Sequence, residues 1–223
     1  MCIAIITARL GSKRLPKKNI KNFEGKPVIY YPINTCLKAG IFKRIIVSTE
    51  SRLISSISKK YGAEVPFLRS KKFADDKTNT SVLMNYLVKK MKFNKNQDIC
   101  CLYPVTPLIT ATLLKKAYEK FKKTQHNFLV PVVKANKLEK RKFKLNHYNK
   151  IVKNHWSKNY FKDSGQFYFG KADSFKKNKS ILFSGSTIGF KISKNDAVDV
   201  NTLTDWIKLK KIYKKKLINY AKI

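Results

Sequence analysis

Short runs of apolar residues alternate with amphipathic stretches along the whole chain. The first run, residues 2–6, is rich in isoleucine and is followed by a polar loop that extends to Asn19. An apolar run bounded by Gly and Pro predicts a buried strand that leads into a loop. By the same criteria, strands are predicted at 44–49, 64–68, 98–103, 127–133, 164–170, 186–192 and 198–201, and helices at 27–39, 51–61, 81–92, 110–122 and from 203 onward.

This alternation predicts an α/β fold with a mostly parallel central sheet flanked by helices. The pattern is lost at residues 134–163, where lysines, asparagines and single aromatic residues follow no clear period. We expect this segment to be a small protruding arm that either covers the substrate or meets a second subunit. A chain of 223 residues has the size of one single-core domain, so residues 1–223 are predicted to form one domain.

Polar residues predict the starts of two helices. Thr80 precedes an apolar face at helical spacing, so it is a candidate helix cap. Thr202 and Asp205 have the spacing of a capping box. We expect the helix that follows them to pack its apolar residues against the sheet; these are Trp206, Ile207, Leu209, Ile212, Tyr213 and Leu217.

The composition is that of a folded protein without a membrane segment. Hydrophobic residues make up 43% of the chain and aromatic residues 12%, which favours a packed core over disorder. No apolar run approaches the roughly 18 residues that a membrane span needs, and the first run is too short for a signal peptide. The four cysteines form no C-x-x-C pair and have no histidine cluster, which argues against zinc. We therefore expect a cytoplasmic protein that does not associate with membranes.

The net charge of +36 is the unusual feature of the composition. Lysine far outnumbers arginine and is spread over the whole chain, whereas a dedicated nucleic-acid surface clusters its charge and uses arginine for base contacts. We interpret the charge as biased residue usage, typical of AT-rich genomes, and expect no specific nucleic-acid partner. A noncatalytic polyanion or nucleic-acid binder on the same scaffold stays open as an alternative.

Polar stretches follow several predicted strands, and ligands of α/β sheets bind outside the carboxyl ends of the strands. The stretches are 9–19, 69–80, 103–107 and 199–201. The first combines one glycine with five basic side chains, which suits a triphosphate because backbone amides at a turn and nearby cations both attract anions. It has neither the P-loop spacing nor a dinucleotide fingerprint, so it either binds phosphate in another mode or is a solvated lysine-rich loop that binds none.

The opening loop also carries a family resemblance. Residues 8–19, ARLGSKRLPKKN, closely resemble the signature loop of the cytidylyltransferases that activate nonulosonic sugar acids. The resemblance continues in order through IIVST at 45–49, YGAEVPFLR at 61–69, Asp75-Asp76, YPVTPL at 103–108 and DVNT at 199–202. The stretch DSGQFYFG at 163–170 is most similar to the pseudaminic acid branch. The resemblance implies a Rossmann-like fold of the nucleotide-diphospho-sugar transferase type.

The resemblance further implies an enzyme that transfers CMP from CTP to the anomeric hydroxyl of a sugar acid and releases pyrophosphate, in surface glycan biosynthesis. By their match to family positions, Arg9, Lys18 and Asp199 would be catalytic, and Asp199 and Asn201 would hold Mg²⁺. Matching positions imply that CTP is bound by Arg9, Gly11, Ser12, Lys13, Lys18, Asn19, Arg69 and Thr80, and the sugar by Tyr103, Gln166 and Tyr168. The resemblance also implies a homodimer, formed through the 134–163 arm.

The chain departs from the family pattern at three places. Thr7 stands where the family has a proline after the first strand. The family commonly has Asp-x-Asp at the metal position, whereas the second residue here is Asn201, whose amide oxygen can ligate Mg²⁺ but carries no charge. The pseudaminate branch tends to have an arginine upstream of Gln166, whereas this chain has Lys153, Asn154 and His155. Cytidylyltransferases for sialic acid, legionaminic acid or 3-deoxy-manno-octulosonate therefore stay open as alternatives.

Several candidates also have a purely structural interpretation. Ser12 could be a turn residue, Arg69 a surface ion-pair partner, and Tyr168 a residue of the core. Asp199 could be an exposed carboxylate among cations, but its position before the last helix favours a metal ligand.

Overall fold

The structure is a computed structural model and describes residues 1–75, 77–136, 142–146, 149–152 and 159–220. Within these ranges the helices are α1 (Tyr30–Ala39), α2 (Arg52–Lys60), α3 (Thr80–Lys90), α4 (Ala111–Lys122), α5 (Ala172–Lys177) and α6 (Leu203–Tyr220). The strands are β1 (Cys2–Thr7), β2 (Asn22–Phe23), β3 (Lys26–Pro27), β4 (Phe42–Ser48), β5 (Asp98–Leu102), β6 (Phe128–Ala135), β7 (Lys144–Leu145), β8 (Ile151–Val152), β9 (Tyr160–Asp163), β10 (Phe167–Lys171) and β11 (Thr187–Lys191).

The central sheet has the strand order β11-β6-β10-β5-β1-β4, and β9 also pairs with β6. β1 is parallel to β4 and to β5, and β11 is parallel to β6. β10 runs antiparallel to β5 and β6, and β9 runs antiparallel to β6. Five of these seven strands therefore point in one direction, which confirms the predicted mostly parallel sheet.

The strand β1 is central because it is apolar on both faces. Ala4 and Ile6 pack into a core cluster with α1, α2 and α4, whereas Ile3 and Ile5 pack on the other face with α3 and α5. A strand that is covered on both sides has a continuous apolar run rather than an alternating one. Helices on both faces confirm the predicted α/β class, and the parallel register brings the carboxyl ends of β1, β4 and β5 to one edge.

The last helix, α6, packs against a third apolar cluster rather than the sheet. Trp206 and Leu209 are buried there around Phe23, in the β2–β3 hairpin. Ile207 and Leu217 are 49% and 50% exposed. The prediction that the apolar residues of this helix face the sheet was therefore wrong, because the hairpin and the loops beside it supply the apolar surface. In the described part of the chain, no helix is long and apolar enough to cross a bilayer.

The predicted helix starts are correct at one helix and displaced by one residue at another. The Thr202 amide donates to Asp205 Oδ2 at 2.8 Å, and the Asp205 amide donates to Thr202 Oγ1 at 3.2 Å, so the capping box is confirmed. At α3 the cap is Asn79, whose Oδ1 accepts from the Val82 amide at 3.0 Å. Thr80 is the first residue of the helix, and its hydroxyl bonds elsewhere.

Two predicted strands are not strands of the described sheet. Residues 64–68 make isolated bridges to β4 and its end, through Glu64 and Leu68. Residues 198–201 form neither a strand nor an isolated bridge in the described chain. Val198 and Val200 are nevertheless buried, and Asp199 between them is exposed. The prediction of a strand here was wrong, because the two valines are buried in the third apolar cluster and not by pairing with a neighbouring strand.

The described parts of segment 134–163 lie against the sheet. β9 pairs with the far half of β6, and Phe143 and Ile151 are buried in the core beside it. The prediction of a protruding arm was therefore wrong for these parts. Residues 137–141, 147–148 and 153–158 lie outside the described residues, as does Asp76. The expected roles of the segment in dimerisation and substrate covering stay predictions.

Candidate active site

The opening loop is held from behind by hydrogen bonds to the adjacent strand and to itself. The Ala8 amide donates to the Ser48 carbonyl at 3.0 Å, and the Leu10 amide donates to Glu50 Oε1 at 2.7 Å. The Asn19 side chain is only 5% exposed and donates to the Arg9 carbonyl at 2.8 Å. Asn19, a predicted CTP ligand, therefore fixes the backbone at Arg9 in this structure.

The outer side of the loop lines a cavity of about 640 Å³. Its walls include four predicted CTP ligands, Arg9, Gly11, Ser12 and Lys13. Ala74, Asp75 and Lys77 line the opposite side. The Arg9 guanidinium donates to the Ala74 carbonyl at 3.3 Å and so ties the two walls together. This volume is in the range of ligand pockets, which are typically about 300–1,000 Å³, and its cationic lining suits phosphate groups.

The opening loop also contacts the loop before α6. Lys18 Nζ donates to the Val200 carbonyl at 2.6 Å, and Arg14 Nη2 donates to Asn201 Oδ1 at 2.7 Å. Asn201 Nδ2 in turn donates to Asp199 Oδ2 at 2.9 Å. Burial lowers the pKa of the Lys18 ammonium, and the negative charge of Asp199 partly opposes this. The structure thus brings the predicted phosphate loop and the predicted metal carboxylate to the same edge of the sheet.

The oxygen donors at this edge fit Mg²⁺ when phosphate groups of a bound substrate supply the remaining ligands. Asp199 is exposed and presents a carboxylate, whereas the amide oxygen of Asn201 already accepts from Arg14. Among the described residues no group of three or more His, Cys, Asp or Glu could hold a metal. Mg²⁺ usually binds through one or two carboxylates plus substrate phosphates, so Asp199 and bound phosphates together meet its requirement.

A buried ion pair lies beneath the opening loop. Arg69 Nη2 lies 3.3 Å from Glu50 Oε2, and the two side chains are only 2% and 14% exposed. The same Arg69 nitrogen donates to the Ala8 carbonyl at 3.3 Å. Burial lowers the pKa of Arg69, and the charge of Glu50 opposes this. The ion-pair interpretation of Arg69 is therefore correct, but the pair is buried and braces the loop.

Sequence reasoning missed Glu50. Its two oxygens bond to the opening loop and to Arg69, so it joins the carboxyl ends of β1 and β4. A signal was present, because Glu50 is one of only 13 acidic residues and directly follows a predicted strand.

Hydroxyl groups from three predicted ligands meet at the carboxyl end of β5. Thr80 Oγ1 and Tyr103 Oη are 2.5 Å apart, and the rings of Tyr103 and Tyr168 pack edge-on with centroids 5.8 Å apart. Tyr168 Oη donates to Asp163 Oδ2 at 2.5 Å. Burial raises the pKa of both tyrosines. Asp163 is the second functional candidate that sequence reasoning missed, although it stands in the quoted stretch at 163–170.

Gln166, predicted to bind the sugar, is only 2% exposed and bonds within its own turn. Its side-chain Nε2 donates to the Ser164 carbonyl at 2.9 Å, and its main-chain carbonyl accepts from the Tyr103 amide at 3.0 Å. In this structure Gln166 positions Tyr103 and the turn at 164–165, and sugar contact by its side chain stays a prediction.

A larger cleft, about 950 Å³ in volume, lies beside α3 and α5. None of the predicted site residues lines it. Its cationic residues are Lys89, Lys90, Lys176, Lys177 and Lys179.

Comparisons with known proteins agree with this geometry. A family model described as cytidylyltransferase matches residues 3–218. A pseudaminic acid cytidylyltransferase of Campylobacter jejuni is 35% identical over an alignment that covers 95% of this chain and 96% of the relative. A CMP-N,N'-diacetyllegionaminic acid synthase of Legionella pneumophila is 28% identical, with 94% and 95% covered. The solved structure of a CMP:2-keto-3-deoxy-manno-octonic acid synthetase complexed with CTP has a TM-score of 0.77 at 15% identity and covers 96% of this chain and 99% of that one. This likeness shows the same fold.

Proposed function

The chain belongs to the cytidylyltransferase family, and from this we propose that it transfers CMP from CTP to the anomeric hydroxyl of a nonulosonic sugar acid. We propose pseudaminic acid as the substrate, because the pseudaminic acid relative is 35% identical and the legionaminic acid relative 28% identical over similar coverage. We expect the reaction to take place in the cytoplasm, where CTP is available.

The observation that carries the proposal is the contact between the opening loop and the loop before α6. Lys18 of the opening loop donates to Val200, and Arg14 donates to Asn201. These are the two residues that follow the exposed Asp199. A triphosphate in the cavity at Arg9 would therefore lie near the carboxylate that completes a magnesium site. This arrangement supports nucleotidyl transfer better than a role as a noncatalytic binder.

In the proposed step the anomeric oxygen attacks the α-phosphorus of CTP. A new oxygen–phosphorus bond forms, the bond from the α-phosphorus to the bridging oxygen breaks, and pyrophosphate leaves with that electron pair. The hydroxyl proton passes to solvent. Such a transfer depends on positioning and charge stabilisation more than on covalent catalysis. We assign Arg9, Lys13 and Lys18 to the stabilisation of negative charge on the phosphates.

We further propose that the reaction requires Mg²⁺, with Asp199 as its carboxylate ligand. When bound, Mg²⁺ would polarise the attacking hydroxyl and offset phosphate charge. Ligation by Asn201 would require its amide oxygen to exchange Arg14 for the metal. The proposed roles of Arg69 and Thr80 near the nucleotide are supported by their positions beside the loop and at the start of α3.

The test is a pyrophosphate-release assay with CTP and a panel of sugar acids, with and without Mg²⁺. The panel contains pseudaminic, legionaminic and sialic acids and 3-deoxy-manno-octulosonate, and UTP replaces CTP in a parallel series. We expect release with CTP and pseudaminic acid, dependence on Mg²⁺, and a large loss in Asp199→Asn. A folded protein that releases no pyrophosphate with any acid would contradict the proposal.

Two further measurements address the remaining expectations. Binding to duplex DNA that persists at about 150 mM salt with sequence preference would support the polyanion-binding alternative, whereas binding lost with salt would reflect bulk charge. Sedimentation equilibrium would test the proposed homodimer.

A further inference from the structure

We propose that Asp163 is a positioning residue of the sugar-acid site, which fixes the hydroxyl group of Tyr168 beside Tyr103 for contact with the substrate. The inference rests on the proposed function. It is carried by the hydrogen bond of Asp163 to Tyr168, the edge-on contact of the Tyr168 and Tyr103 rings, and the hydrogen bond of Tyr103 to the first residue of α3.

The backbone explains why Asp163 reaches Tyr168. Both β9 and β10 pair with β6, but β9 pairs with its far half and β10 with its near half. The chain between them turns at Gly165, whose φ of 63° lies in the left-handed region that favours glycine. The Gly165 amide donates to Asp163 Oδ1 at 2.9 Å, which leaves Oδ2 to accept from Tyr168 at 2.5 Å.

The carboxylate also sets the direction of the hydrogen bonds. An ionised carboxylate only accepts, so Tyr168 must donate to it and keeps its oxygen lone pairs for another donor. The Tyr168 ring packs edge-on against the Tyr103 ring, with centroids 5.8 Å apart, and the Tyr103 hydroxyl lies 2.5 Å from Thr80 Oγ1 at the start of α3. The hydrogen bonds of the two hydroxyls and the ring contact between them hold both tyrosines in one arrangement.

Two neighbouring features indicate a ligand site and not only a packed core. The hydroxyl of Ser164, a residue that is 5% exposed, has no hydrogen-bond partner among the described residues. A buried hydroxyl without a partner is unfavourable, and a polar group of a ligand would satisfy it. Asp163 also experiences the negative charge of Asp199, the proposed metal carboxylate, which together with burial raises the pKa of Asp163.

The test compares Asp163→Asn with Asp163→Glu, Tyr168→Phe and the double variant Asp163→Asn/Tyr168→Phe. Asn keeps an acceptor for Gly165 but offers Tyr168 an NH₂ group in place of an oxygen. Removing a hydrogen bond to a charged group should lower kcat/KM for the sugar acid by about 10- to 100-fold. The dissociation constant for CTP should stay within about twofold of the wild type, because Asp163 bonds to Tyr168 and Gly165 and to none of the proposed CTP ligands. Asp163→Glu should recover part of the loss.

The double variant should be no worse than the poorer single variant, because both changes remove the same hydrogen bond between Tyr168 and Asp163. Asp173→Asn is the matched control, since its carboxylate pairs with Lys177 on α5 and should leave both substrates unaffected. Tyr168→Phe, which removes a single oxygen atom, keeps the test decisive if Asp163→Asn does not fold.

The outcomes separate this inference from the proposed function. If the wild type is active and both single variants keep kcat/KM for the sugar acid within about twofold, Asp163 has no positioning role. Equal losses of kcat/KM for CTP and for the sugar acid, together with a lower Tm, would indicate a structural role of Asp163. This result would also overturn the inference. If the wild type releases no pyrophosphate with any sugar acid, the proposed function itself fails.

Discussion

Arg14 Nη2 donates to Asn201 Oδ1 at 2.7 Å, although the two residues are 187 positions apart in the chain. The other end of the same amide donates to Asp199 Oδ2 at 2.9 Å. An aspartate at position 201 could accept from Arg14 but could not donate to Asp199, and it would place two carboxylates side by side. Asn201 is therefore suited to hold Asp199 and the opening loop in register without adding negative charge.

The Asn201→Asp variant should bind divalent metal more tightly than the wild type. A second carboxylate adds charge to the site, and the affinity of oxygen-ligand sites rises with ligand charge, so we expect the dissociation constant for Mn²⁺ to fall by about threefold to tenfold in the presence of CTP. Electron paramagnetic resonance of free Mn²⁺ measures this directly. Asn195→Asp makes the same change of charge on an exposed turn nearby. Equal effects of the two substitutions would show that position 201 is not special.

The sequence predicted what local patterns control. The positions of β1, β4, β5, β6, β10 and β11, the capping box of Thr202 and Asp205, and the polar loops at strand ends all depend on neighbours within a few residues. The four polar stretches could be assigned to one edge because parallel strands present their carboxyl ends together. The family resemblance indicated which residues of these stretches would contact CTP, the sugar acid and the metal.

The sequence could not predict contacts between distant segments. The partner of α6 is a cluster built from separate stretches that surround Phe23, so periodicity revealed an apolar helix face but not its neighbour. Asp163 and Glu50 have no distinguishing local pattern. Their importance comes from burial and from partners on other elements, such as Tyr168 and Arg69, which only the folded chain brings close.

Glu50→Gln should destabilise the protein by about 3 kcal/mol, because it leaves the buried Arg69 guanidinium without a countercharge. Urea unfolding measures the loss, and CTP affinity should fall with it, since Glu50 also holds the Leu10 amide. Glu64→Gln is the control: its ion pair with Arg44 has side chains that are 39% and 47% exposed, so the cost should stay below about 1 kcal/mol. Equal costs for the two variants would refute the assigned bracing role.

Phe23→Ala should destabilise the protein by about 3 kcal/mol or more, because Phe23 is fully buried and its ring meets three aromatic rings edge-on. Those rings belong to Tyr31, Trp206 and Tyr213, with centroid distances of 5.1–5.5 Å. The control is Leu217→Ala on the exposed side of α6, which should cost less than about 0.5 kcal/mol by denaturant unfolding. A larger loss of stability in Leu217→Ala than in Phe23→Ala would mean that α6 packs through its other face.

The alkaline limb of activity should report on Lys18. Its pKa lies below the ordinary lysine value of 10.5, mainly because of burial, so the ammonium loses its proton at a lower pH than an exposed lysine does. The neutral amine no longer attracts phosphate, and kcat/KM for CTP, which reflects ionisations of the free enzyme, should therefore fall as pH rises towards 10.5. In Lys18→Arg the guanidinium stays protonated over this range, so the fall should move to higher pH. Lys211→Arg, at an exposed position of α6, should keep the wild-type profile. An unchanged profile in Lys18→Arg would show that another group controls the alkaline limb.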